Sequence, residues 1–172
     1  MVIKEVFSTK GLDFEEEDLK EIVEKILPLR KFNTKKEYEI NNQLLIGKLM
    51  RYKQFESRKE LKKSSTGIVD VLGEDIRVDY DLILEDEYND CISVIKFKNK
   101  KADLKDKGKS IHTKTSESIE LFLLQQVGEK IGLNKKVYGS IVFLTGDKDK
   151  KDVLGDSFSI VQYSFEEDDT TR

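Results

Sequence analysis

The sequence predicts an α/β protein: a mixed β-sheet with flanking helices and an N-terminal helical cover. Three observations carry this. The first 62 residues read as helices, with apolar residues at helical spacing. Residues 67–97 switch to β-rich runs separated by short polar turns. A helix at 115–131 then leads into an almost wholly apolar strand at 135–145, the pattern of a crossover feeding a buried strand. The order α-α-β-β-β-α-β-β fits one domain over 1–172: helical cover 1–62, core 63–165, acidic tail 166–172.

Each element has its own warrant. Residues 13–27 load acids into the first turn, which suits the helix dipole. Leu19, Ile22, Val23, Ile26 and Leu27 form their stripe, and Pro28 follows as a stop. A second helix is predicted over 36–62, capped by Asn33 or Thr34, with Leu44, Leu45, Leu49, Tyr52 and Phe55 inward. Residues 67–72 form a strand closed by a turn at Gly73-Glu74-Asp75. In the strand 76–84, Ile76, Val78, Tyr80, Leu82 and Leu84 share one face; Arg77, Asp79, Asp81 and Ile83 share the other. Strands at 91–97 and 156–165 and a polar loop at 99–114 complete the core. The helix 115–131 turns Ile119, Phe122, Leu123, Val127 and Ile131 inward.

The chain's 172 residues suffice for one substantial core. Charged residues make up 38% and the net charge is −3. No apolar run reaches the roughly 18 residues of a membrane span, and the N-terminus lacks the apolar stretch of a signal peptide. Cys91 is the only cysteine, so neither an intrachain disulfide nor a cysteine metal cage is expected. A cytoplasmic location is the default expectation.

The segment Val78–Lys98 carries the chemistry. Asp81 lies on one strand and Lys98 ends the next, the ground plan of a metal-dependent phosphodiesterase site. Such a site needs one or two carboxylates for Mg²⁺ or Mn²⁺ and benefits from a cation at the scissile phosphate. Strand period places Lys96 and Lys98 on one face. The position two before Lys98, where a second carboxylate belongs, is Lys96. Asp79 is the substitute metal ligand beside Asp81, though it must reach roughly 7 Å along the strand; Asp70 on the neighbouring strand is another.

These residues resemble the PD-(D/E)XK nuclease superfamily, in its RecB-like branch of helicase-linked and CRISPR-associated exonucleases. The resemblance spans about residues 40–165. It keeps Gly47, Asp81 and Lys98 of the branch's motifs. Arg51 stands where the branch has His, Val78 where it has Gly, Lys96 where it has an acid, and Ser118 and Phe122 where it has Gln and Tyr. The resemblance implies a restriction-endonuclease-like core, DNA as partner, and Mg²⁺ or Mn²⁺ if the site is active. The branch's iron–sulfur subgroup needs four cysteines, so no cluster is expected. Asp81 and Lys98 are the catalytic pair, remnant or divergent.

Lysines 96, 98, 100, 101, 105, 107, 109 and 114 crowd the run 96–114. Clustered lysine supplies the salt-dependent part of DNA affinity, so Lys96, Lys100, Lys101, Lys105, Lys107 and Lys109, with Arg51, are the candidate nucleic-acid contacts. A solvated loop would look the same. His112, the single histidine, is a candidate base or an incidental loop residue. Three readings remain: a degenerate nuclease-fold DNA-binding or structural subunit in a DNA-processing, defence or mobile-element complex; an active divergent nuclease; and a protein-interaction module or inhibitor with no nucleic-acid role.

Overall fold

The computed structural model describes residues 2–26, 34–101, 115–145 and 159–165. Four helices are formed by α1 (Val2–Thr9), α2 (Glu16–Ile26), α3 (Lys35–Phe55) and α4 (Thr115–Glu129). The strands are β1 (Lys59–Lys62), β2 (Ser65–Val71), β3 (Glu74–Tyr80), β4 (Leu82–Asp86), β5 (Cys91–Lys101), β6 (Lys136–Thr145) and β7 (Ser159–Tyr163). Five of them make a mixed sheet in the order β1-β4-β5-β6-β7. Only β5 and β6 run parallel, joined by the α4 crossover; the other pairs are antiparallel. β2 and β3 form a separate antiparallel hairpin.

The sheet is covered on both faces, which is why Leu82–Leu84 of β4 and Ile141–Leu144 of β6 are continuous buried apolar runs. On one face α1, α2, α3 and the α1–α2 connection pack Phe7, Phe14, Leu19, Leu49 and Tyr52 against Leu82, Leu84, Ile95 and Phe97. Phe7 stacks on Phe97 at 4.6 Å, and Tyr52 meets the same ring edge-on. On the other face α4 and the hairpin pack Val69, Val78, Leu121 and Leu124 against Ile83, Val94, Ile141 and Phe143. The α4 backbone lies directly on β6 at Gly139, where a Cβ would meet the Leu121 carbonyl oxygen at 2.0 Å.

The mixed sheet with flanking helices and a helical cover agrees with the sequence prediction; several elements do not. α1 was not foreseen, because its eight residues are too short for periodicity to register. α3 ends at Phe55 rather than 62, and Lys59–Lys62 become the edge strand β1. Thr34 is the N-cap, its Oγ1 accepting from the Glu37 N–H. Leu44 and Phe55 are exposed, while Ile46 takes an inward place. On α4, Leu121 and Leu124 face the core and Ile119 faces solvent. The hairpin turns at Leu72 and Gly73, both at positive φ, not at 73–75. The last strand is Ser159–Tyr163; the tail and the loop 102–114 lie outside the described residues.

The largest departure is at Asp81. The predicted strand 76–84 is two strands, β3 with its partner in the hairpin and β4 in the main sheet. Tyr80 therefore packs with the α4 layer and Leu82 with the helical cover, not on one face. Alternation in sequence assumes one straight strand, and the chain changes sheets here.

Candidate functional site

The change of sheets is what positions Asp81. Its N–H donates to the Ile95 carbonyl at 2.8 Å. Its carboxylate Oδ2 accepts the Phe97 N–H at 2.7 Å. β3 has left to pair with β2, so a side chain takes the N–H just beyond the last β4–β5 pair, Leu82 with Ile95. Lys96 follows Ile95 on β5, close enough for its charge to act on the Asp81 carboxyl. Asp81 is 1% exposed. Burial pushes its carboxyl above the usual range, against the opposing pull of the Phe97 N–H, Lys96 and Lys4.

Asp79 lies in a different setting. It is exposed, accepts a hydrogen bond from the Thr66 hydroxyl at 2.5 Å, and pairs with Lys4 of α1 at 3.6 Å. The Thr66 hydroxyl, then Lys4 and Lys96, hold its carboxyl below the usual range despite a small opposing cost of burial. Asp79 is thus tied to the hairpin and α1, on the exposed side of the fork at Asp81. Asp70 caps the hairpin turn through the Gly73 N–H. Among the described residues, no three His, Cys, Asp or Glu side chains converge to hold a metal ion.

Lys98 does not pair with Asp81. Its Nζ meets Glu120 Oε2 of α4 at 2.6 Å, both side chains about one quarter exposed. Glu117, one turn earlier on α4, is buried at 3%. These two acids, with Lys4, are the members of the site that sequence reading missed. Glu117 carried a signal: it lies four and seven residues before the buried Leu121 and Leu124, on the stripe facing the sheet. Lys4 carried none, because nothing local ties α1 to the hairpin.

Arg51 is half-buried on α3, in the helical cover, whereas Lys98 pairs with α4 on the opposite face of the sheet. Gly47 is exposed, with open space where a Cβ would stand. Lys48 of α3 reaches β5, donating to Asn99 Oδ1 at 3.2 Å. Lys100 and Lys101 end β5, but their side chains, together with Lys105, Lys107, Lys109 and His112, lie outside the described residues.

A second polar network centres on Glu56 and Arg58. Glu56 accepts from the Tyr52 hydroxyl at 2.6 Å and from Arg58 Nε and Nη2 at 2.8 Å each. Arg58 Nη1 continues to the Ser93 hydroxyl, which donates to Gln162 of β7. Burial alone would push the Glu56 carboxyl up, but the bonds from Arg58 and Tyr52 outweigh it and hold it down.

No protein-family model matches this chain, and no curated protein is similar to it in sequence. No helix among the described residues is long and apolar enough to cross a membrane.

Proposed function

We propose that this chain is a nuclease-like scaffold, related to the RecB-like PD-(D/E)XK proteins, that binds DNA without cutting it. It would serve as a DNA-binding or structural subunit in a larger cytoplasmic DNA-processing, defence or mobile-element complex. The observation that carries this reading is the state of Asp81. It is buried, commits an oxygen to the Phe97 N–H, and has a lysine beside it where a second carboxylate would be needed. A cation beside this buried acid repels Mg²⁺ and neutralises the acid instead. DNA contact is supported by Lys96 and Lys98 in the C-terminal half of β5, ahead of the lysine-rich run, and by Lys48 of α3, which bonds Asn99 of the same strand.

The alternative is an active, divergent nuclease. Glu117 and Glu120 favour it, because they bring carboxylates from α4 to the face that holds Lys98. Mg²⁺ needs only one or two protein carboxylates when substrate phosphates and waters complete its shell.

The deciding assay pairs cleavage with binding. Labelled single- and double-stranded DNA is incubated with Mn²⁺, and affinity is measured at low and high salt, for the native chain, Asp81→Ala and Lys98→Ala. Salt-sensitive binding without cleavage is expected. Cleavage lost on Asp81→Ala would establish the alternative, and absence of both would point to a protein-only partner.

A further inference from the structure

The β2–β3 hairpin leaves the main sheet near Ser65 and Tyr80 and packs beside α4. Between its base, the end of β1 and the last turns of α4 lies an open cleft of about 480 Å³, within the range of roughly 300–1,000 Å³ that holds small organic ligands. Ile83, Val127 and Ile131 give it apolar surface. Ser65, Thr66 and Tyr80 bring hydroxyl-bearing side chains. Lys62 from β1 and Lys130 from α4 complete the lining, and no carboxylate shares it.

Some lysines of this acid-rich chain are held in ion pairs, as in Lys4–Asp79, Lys98–Glu120 and Lys135–Glu85. Lys62 and Lys130 enter no ion pair among the described residues. The Lys130 ammonium donates to the Ile68 carbonyl, which tethers it to the hairpin while leaving two of its three protons for a ligand. Lys62 stands across the β1–β4 ladder from Ile83, so its stem borders the apolar surface.

We propose that this cleft binds an organic phosphate: one phosphate monoester on a compact body with an apolar face, the size of a mononucleotide. A phosphate monoester carries a charge of about −1.5 to −2 near neutral pH, which matches two lysines brought from separate elements. A carboxylate would satisfy only one. Ser65, exposed at the hairpin base, can supply a neutral donor, the Thr66 proton being given to Asp79, and the apolar surface takes the organic body. Neither Asp81 nor Lys96 lines the cleft, so the proposal stands apart from the DNA reading.

The test titrates the full chain with thymidine 5′-monophosphate by calorimetry, beside thymidine, inorganic phosphate and octanoate. Saturable binding of the monophosphate is expected, with the other three each weaker by about tenfold or more. Lys62→Glu and Lys130→Met should each weaken it by about tenfold, with the far-ultraviolet dichroism unchanged; Lys62 is exposed on an edge strand, so its variant keeps the test valid if Lys130→Met fails to fold. Absence of saturable binding, equal affinity in both folded variants, or octanoate binding as tightly as the monophosphate would overturn the proposal.

Discussion

Lys98 and Glu120 form an ion pair at 2.6 Å that joins the C-terminal half of β5 to α4. On the proposed nuclease-like reading, a working site would leave this lysine to the phosphate. Here a carboxylate holds it, at a site only about one quarter exposed.

The pair sets an electrostatic expectation. If the chain binds DNA as proposed, Glu120→Gln frees Lys98 and removes a charge that would repel the backbone. Affinity for DNA should rise, and the slope of log affinity against log salt should steepen by roughly one, the signature of one more neutralised phosphate. Lys98→Ala should do the reverse. Fluorescence anisotropy across a salt series measures both.

On the proposed reading, Lys96→Glu should create a metal site. It places a second carboxylate next along β5 from Ile95, beside Asp81. Calorimetry should detect Mn²⁺ binding in Lys96→Glu and lose it again in the double variant with Asp81→Ala. If Lys96→Glu gains no Mn²⁺ affinity, the proximity of residues 81 and 96 is not the ligand geometry argued above.

Asp81 should cost stability when ionised. Its folded-state pKa is raised above the unfolded value, chiefly by burial. The folded chain therefore binds the extra proton more tightly, and the group's contribution is fully present below its unfolded pKa and lost as pH rises through the folded one. Asp81→Asn keeps an acceptor for the Phe97 N–H without the charge. It should match or exceed native stability at pH 7, with the difference shrinking as pH falls through the folded pKa and gone below about 4. Asp81→Ala orphans that N–H and should cost about 1–3 kcal/mol. Urea melts at pH 7 and pH 3.5 separate the two.

Arg58 should be a structural requirement. The Glu56 side chain is only 3% exposed and depends on Arg58 for most of its bonds. Arg58→Ala leaves a buried charge without its partner and should cost about 3–5 kcal/mol. Because the Glu56 pKa is depressed, its contribution is present above the unfolded pKa and is lost as pH falls through the folded one. The penalty of Arg58→Ala should therefore shrink in acid.

The hairpin tip offers a gain. Leu72 is fully exposed at φ +52°, a conformation that costs a bulky residue roughly 1–2 kcal/mol. Leu72→Gly gives the turn two glycines that tolerate positive φ and should raise thermal stability by a few degrees. Differential scanning calorimetry reads the shift.

The sequence by itself determined the layers. Local apolar spacing in α2 and α3, the β-rich run after residue 64 and the apolar β6 are short-range patterns, and they predict helices over a mixed sheet with a crossover into its centre. It also singled out Asp81, Lys96 and Lys98, because a strand's period of two fixes which neighbours share a face. Tertiary structure alone decided what those residues meet. A straight strand was the simplest reading of 76–84, but the chain changes sheets at Asp81, and a change of partner strand leaves no mark in the alternation of side chains. Lys98 finds Glu120, 22 positions along the chain, and Asp79 finds Lys4, 75 positions back. Such pairings depend on how α1 and α4 pack on the sheet, and that packing is set by apolar surfaces that do not specify which charges they bring together.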